Sequence, residues 1–196
     1  MGKIFYLFGK SATGKDKFYQ ALMGNEALGL EKVVPYTTRP MRVGERNGVQ
    51  YFFIDDAEAD RLEKEGKIIE MRSYQTVHGV WKYMTVSGNI DLKEHNYLML
   101  GTLESYLNTR DYFGEEALVP LYIFVEDGER LARALKRERK QSEPKFAEMC
   151  RRYLADEEDY KPEKLAAGGI GPEVSYENVV FDECLQALTE TITKNL

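Results

Sequence analysis

Two glycines separated by four residues, placed between an apolar run of strand length and a helix-compatible segment, constrain this chain more than any other feature. Lys3-Ile-Phe-Tyr-Leu-Phe8 runs into Gly9-Lys10-Ser11-Ala12-Thr13-Gly14-Lys15-Asp16, and Lys17-Phe-Tyr-Gln-Ala-Leu-Met23 follows. Glycine lets backbone N–H groups curl round an anion without Cβ clashes. The helix that follows offers N–H groups with no partner in its first turn. Lys15 adds a mobile positive charge. This strand–loop–helix context is that of a phosphate-cradling P-loop, the alternative being an ordinary glycine turn. Such loops normally end in Ser or Thr, whose hydroxyl ligates Mg²⁺, and here the position holds Asp16. A carboxylate can also serve Mg²⁺, directly or through water, while adding repulsion toward phosphate.

The rest of the chain alternates strand-like and helix-like segments. Val33-Val34 reads as a short strand entering a polar loop that runs to Gly48, and Tyr51–Phe53 as another strand. Asp55 is placed to N-cap a helix through about Lys64, ended by Gly66, and Thr102 to cap one through about Thr109. Lys67–Met71 and Trp81–Val86 read as strands turning at His78-Gly79. Asn96–Leu100 and Val119–Val125 read as buried strands. A basic helix is expected over about Gly128–Lys140, and a further one capped by Ser142 with an apolar face of Phe146, Met149, Tyr153 and Leu154. Pro162–Pro172 reads as a mobile loop, Val179-Val180 as a strand, and a last helix starts at Asp182. Alternation with continuously apolar strands implies an α/β fold with a parallel sheet core flanked by helices. The consecutive strands of 35–95 form an inserted small lobe with a mixed sheet.

Charge is uneven. The whole chain carries −6, from 27 basic and 33 acidic residues, which argues against a nucleic-acid or anionic-membrane partner. Between Glu129 and Arg152, however, Lys and Arg outnumber Glu. That run is either a solvated helix face or a set of cations for phosphoryl transfer. Cys150 and Cys184 lack metal spacing and read as reduced thiols of a cytoplasmic protein. The opening apolar run is too short for a signal or a membrane span.

Thr37-Thr38-Arg39-Pro40-Met41-Arg42-Val43-Gly44-Glu45, then Gly48, Tyr51 and Phe53, closely resembles the acceptor-site signature of guanylate kinases. The order of P-loop, this loop, Ile69-Glu70 and a late Arg-rich lid does so too, and the resemblance covers nearly the whole chain. It implies the P-loop nucleoside-monophosphate-kinase fold. Residues 1–34, 96–127 and 173–196 would form the ATP-binding core, 35–95 the nucleoside-monophosphate lobe, and 128–172 the helical lid. The implied cofactors are ATP, bound by Gly9, Lys10, Ser11, Ala12, Thr13, Gly14, Lys15 and Asp16, and Mg²⁺ at Asp16. The implied acceptor is a nucleoside monophosphate, GMP above others, bound by a monomer or homodimer.

Arg39 and Arg42 stand three residues apart in one loop, so their guanidinium forks can converge on one anion. By resemblance they clasp the acceptor phosphate, with Tyr51 donating and Glu45 holding an arginine in place. Glu70 aligns with the glutamate that reads guanine. A carboxylate accepts both N1–H and the 2-amino N–H, whereas adenine presents an acceptor at N1. His78-Gly79 stands where the family has a Tyr-Gly pair touching the acceptor phosphate, and Val80 or Trp81 where it has a small hydroxyl residue contacting guanine. Leu100 and Thr102 fall where acidic residues are expected, Pro35 replaces a phosphate-contacting Ser, and Phe181-Asp182 replaces an Asn-Asp pair near adenine. In the lid, Arg137 or Arg139 and Arg151 or Arg152 resemble the transition-state arginines. Lys15, Arg42, Arg137, Arg139 and Arg151 form the expected catalytic set, and Arg39, Arg42, Glu45, Tyr51, Glu70, His78 and Thr102 the substrate-binding set. Two alternatives stay open: a kinase of a different nucleotide or a sugar phosphate, and a non-catalytic guanylate-kinase-like module that binds phosphopeptides.

Overall fold

The computed structural model describes residues 1–76 and 79–196. Among them the elements follow in the order β1 (Ile4–Phe8), α1 (Lys15–Met23), β2 (Leu30–Lys32), β3 (Tyr36–Thr37), β4 (Phe52–Phe53), α2 (Asp56–Lys64), β5 (Ile68–Thr76), β6 (Gly79–Val86), β7 (Asn96–Gly101), α3 (Leu103–Phe113), β8 (Leu118–Phe124), α4 (Asp127–Glu138), α5 (Phe146–Asp159), α6 (Pro162–Ala167), β9 (Ser175–Glu177) and α7 (Phe181–Asn195). Strands β2-β7-β1-β8-β9 form a five-stranded sheet whose neighbouring pairs are all parallel. Strands β4-β3-β6-β5 form a separate mixed sheet.

The apolar run at the start of the chain becomes the middle strand because it has no face to give to water. All five residues of β1 are buried. Ile4, Tyr6 and Phe8 pack on one side with Tyr97, Tyr106, Tyr122 and Tyr160. Phe5 and Leu7 pack on the other with Phe18, Leu22, Leu121, Leu188 and Ile192. Helices therefore cover both faces, as a parallel sheet requires. The strand-to-helix joints follow local rules: the side chains of Asp55 and Thr102 accept from the N–H groups of Glu58 and Ser105 and so cap α2 and α3.

Several expected boundaries move, each for a physical reason. The edge strand is Leu30–Lys32, in register with Asn96–Leu98, rather than Val33-Val34. By Val34 the chain has left the sheet, and its carbonyl accepts from Asn89 Nδ2 at 2.7 Å. Helix α5 begins at Phe146 instead of Ser142, where the Lys145 N–H is taken by the Glu138 carboxylate. The segment expected to be a mobile loop holds α6, opened by Pro162 at a position where a missing N–H costs nothing. Next to α7 the strand is Ser175–Glu177, paired with β8, and not Val179-Val180. The second sheet's hairpin is longer than expected, since β5 and β6 run well beyond Met71 and before Trp81.

Helix α7 buries Cys184, and that burial pushes its thiol up to about 11, whereas Cys150 on α5 is exposed. A thiolate-directed reagent at pH 8 is therefore expected to label Cys150 alone in the native protein and both thiols in denaturant, as mass spectrometry would read. Labelling of Cys184 at the Cys150 rate would show that α7 is not docked.

Candidate functional site

The loop between β1 and α1 is shaped by its two glycines. Gly14 lies at φ 93° and ends the loop at the N-terminus of α1. At Gly9 any Cβ would run into the Ile123 carbonyl of β8. Inside the curl, the Thr13 hydroxyl donates to the Lys10 carbonyl at 2.9 Å. Asn178 Nδ2 donates to the Thr13 carbonyl at 2.8 Å and ties the loop to the chain just ahead of α7. The Lys15 ammonium folds back over the loop, 3.4 Å from the Lys10 carbonyl. Burial lowers its pKa, Asp16 and Asp156 oppose that, and nearby Arg137 adds to it. Phe181, partly buried, stacks on Phe18 with ring centroids 4.5 Å apart and so packs against the core.

A cluster of acids from α4 and α5 closes over this loop. Asp156 Oδ2 accepts from the Ser11 N–H at 2.8 Å, and the Lys10 ammonium pairs with Glu157 at 2.9 Å and Asp127 at 3.2 Å. Arg130, 1% exposed, binds Asp127, Asp156 and Glu157 together and lies 4.1 Å from the Tyr153 ring centroid. Burial raises the Asp127 carboxyl, but Lys10 and Arg130 together outweigh it, so its pKa is lowered. Tyr160, from the end of the same helix, accepts from the Leu103 N–H at 3.3 Å. A carboxylate thus lies on a loop N–H that phosphate would seek, and Arg130 holds it there.

Of the lid arginines expected to act, Arg137 is brought to the loop. It shares with Ser11, Lys145 and Arg152 a crevice of about 150 Å³ between α4 and α5. Arg139 is the exposed C-cap residue of α4. Arg151 and Arg152 both grip Glu148, Arg151 outside the crevice and Arg152 at its edge. Arg130 looked in the sequence like one of a run of surface cations, and the structure makes it the buried one.

A cavity of about 870 Å³ lies between the two sheets. Tyr6, Leu98 and Leu100 line it from the five-stranded sheet, and Glu70, Arg72, Tyr83 and Thr85 from the other. Glu70 enters from β5 with its side chain 9% exposed. Its Oε2 is held by the Ser105 hydroxyl, and its Oε1 accepts from Thr85 Oγ1 at 3.2 Å and Arg72 Nη2 at 3.3 Å. Tyr51 closes one side, its ring centroid 5.7 Å from that of Tyr83. Behind it, Arg39 is 4% exposed, sits 5.4 Å from both the Tyr51 and Phe53 rings, and is forked onto Glu45 at 2.8 and 3.0 Å. That hydrogen bond to Glu45 raises the Arg39 pKa and, reciprocally, lowers that of Glu45. Arg42 gives its N–H to Glu45 at 2.7 Å and leaves its guanidinium in solvent. Thr102 spends its hydroxyl on the cap of α3 and on Ser105.

His78 lies outside the described residues. Hairpin register shows what spacing along the chain could not: Glu70 stands opposite Thr85, and Arg72 opposite Tyr83. Tyr83 and Thr85, two apart on one strand face, therefore bring a phenol and a small hydroxyl to the cavity. Ser105 and Arg72 had no sequence signal, because their place depends on which strand face meets α3.

For a divalent cation the fit is limited. Asp16 begins α1 beside Lys15, and among the described residues no group of three or more His, Cys, Asp or Glu could hold an ion by itself. The donor set suits Mg²⁺ delivered on substrate phosphates, with one carboxylate nearby, and not an all-protein cage. Among the described residues no helix is long and apolar enough to cross a membrane.

Known proteins resemble the chain along its length. The family model "Guanylate kinase" matches residues 1–194. A guanylate kinase of Chlorobaculum tepidum is 33% identical over 138 residues, covering 69% of this chain and 68% of that protein. One of Chromohalobacter salexigens is 39% identical over 69 residues, which span 35% of this chain and about a third, 32%, of that relative. In three dimensions the crystal structure of guanylate kinase from Anaplasma phagocytophilum superposes with a TM-score of 0.56 over 98% of this chain and 85% of that one. At 21% identity this likeness concerns the fold alone.

Proposed function

The chain belongs to the guanylate kinase family, and from that premise we propose that it transfers the γ-phosphoryl group of Mg-ATP to the phosphate of GMP, giving GDP. One observation carries this reading. The strand that lines the acceptor cavity with Tyr6 is the same strand that feeds the phosphate loop at Gly9, and Glu70 stands in that cavity as a partly buried, hydrogen-bonded carboxylate.

The nucleophile is a phosphate oxygen that is already anionic, so no general base is needed. Catalysis is positioning and charge neutralisation. Lys15 and the loop N–H groups take the donor phosphates. Arg42, exposed and free to swing, bridges donor and acceptor, and Arg137 reaches the transferring group from α4. Tyr51 and Tyr83 donate to the acceptor phosphate, while Arg39, locked by Glu45, supports Tyr51 from behind. Glu70 receives N1–H and the 2-amino group of guanine. For ATP to seat, Asp156 must release the Ser11 N–H, so nucleotide entry and movement of α5 are one event. Asp16 is the carboxylate that would hold Mg²⁺ or its waters, and the ion would supply further neutralisation of phosphate charge.

A coupled assay with GMP, dGMP, AMP, UMP and ribose phosphates tests the reading. GMP and dGMP should turn over and AMP should not. Turnover confined to a sugar phosphate or a pyrimidine nucleotide would replace it, and absence of any turnover together with absence of ATP binding would favour the binding module.

A further inference from the structure

Side chains alternate along a strand, so Glu70 and Arg72 of β5 share the face that meets the acceptor cavity, opposite Thr85 and Tyr83 of β6. Glu70 is anchored from three directions, but Arg72 is not. Its side chain is 51% exposed, it lines the cavity, and the contact described for it is the single one from Nη2 to Glu70 Oε1. A guanidinium has five N–H donors in a planar fork, and this one sits beside the carboxylate oxygen meant for the base.

Resting on the GMP reading above, we infer that Arg72 is a specificity-determining residue that donates to the O6/N7 edge of a 6-oxopurine while Glu70 receives the N1 and 2-amino edge. In guanine O6 is bonded to the carbon next to N1. A base that places N1–H on Glu70 Oε1 therefore brings O6 toward the two groups already within 3.3 Å of that oxygen, Thr85 Oγ1 and Arg72 Nη2. A guanidinium matches O6 and N7 of guanine with two parallel N–H donors, and meets the 6-amino group of adenine donor to donor. The opposite wall makes the assignment matter. Leu100 lines the cavity with an apolar side chain, and the Thr102 hydroxyl is taken by the α3 cap. Discrimination at this site thus rests on the β5–β6 face, with Arg72 as its one cation among the lining residues described.

The test compares kcat/KM for GMP, 7-deaza-GMP and AMP in the intact protein and in Arg72→Ala, Arg72→Lys and Glu70→Gln, with melting curves to confirm folding. Wild type should prefer GMP to 7-deaza-GMP by about tenfold. Arg72→Ala should lose about 10- to 100-fold on GMP, mostly in KM, and should no longer distinguish the two purines. Arg72→Lys should recover part of the loss through O6 alone. Equal losses on GMP and 7-deaza-GMP in Arg72→Ala, or a wild type indifferent to the missing N7, would overturn the role of Arg72. Failure of the underlying GMP reading looks different: wild type would not turn over GMP, or Glu70→Gln would leave GMP turnover intact.

Discussion

Lys15→Ala is expected to lower kcat by roughly 10³-fold or more, on the scale of losing a cation that faces a transferring phosphoryl group. The loop geometry explains why no neighbour replaces it. Lys10, the other lysine of the loop, is committed to Asp127 and Glu157, and Arg130 is spoken for by three carboxylates. Removing Lys15 should not loosen the fold, because its ammonium makes one long contact to a carbonyl and is disfavoured by burial in the first place. A melting temperature close to wild type, weakened ATP binding by calorimetry and collapsed turnover form the expected set. Wild-type turnover in this variant would remove the loop from the chemistry.

Arg130→Ala is expected to act on stability instead. Arg130 is almost fully buried and neutralises Asp127, Asp156 and Glu157, so its loss leaves three carboxylates sharing Lys10 and one loop N–H. Breaking a buried ion pair from one side costs about 3–5 kcal/mol, which for a chain of this size is a fall in Tm of roughly 10 °C. Arg130→Met keeps the apolar stem against Tyr153 but not the charge, and should suffer nearly as much, which separates electrostatics from packing. The pH dependence has a definite sign. The Asp127 pKa is depressed in the folded wild type, so its contribution is present above the ordinary aspartate value and fades as pH falls through the folded one. In the variant the Asp127 carboxyl loses the Arg130 counter-charge and protonates more readily. The gap in Tm between wild type and variant should therefore narrow below about pH 4. A gap that widens on acidification would place the cost elsewhere.

What was legible in the chain was local. Gly9 and Gly14 announce a loop through backbone freedom, Asp55 and Thr102 announce helix starts through their hydroxyl or carboxylate acceptors, and β1 announces a central strand because none of its residues is polar. What stayed hidden depends on pairing across distance. Tyr83 and Thr85 could be placed only once the β5–β6 register was known, since a strand shows a residue's face by its parity relative to its partner and not by its spacing from a glycine. Arg130 could not be told from Arg133 or Arg137 by composition, because its carboxylate partners Asp156 and Glu157 lie a full helix away. Asn178 offered no cue at all: its meaning is the Thr13 carbonyl, 165 residues upstream.

That last bond has a consequence for how the protein comes into being. As the chain emerges from the ribosome, β1 and the loop after it are made first, yet the amide that braces the loop arrives only after β9 and beside the start of α7. The loop therefore stays without this brace until residues 178–195 have been made and have docked beside it.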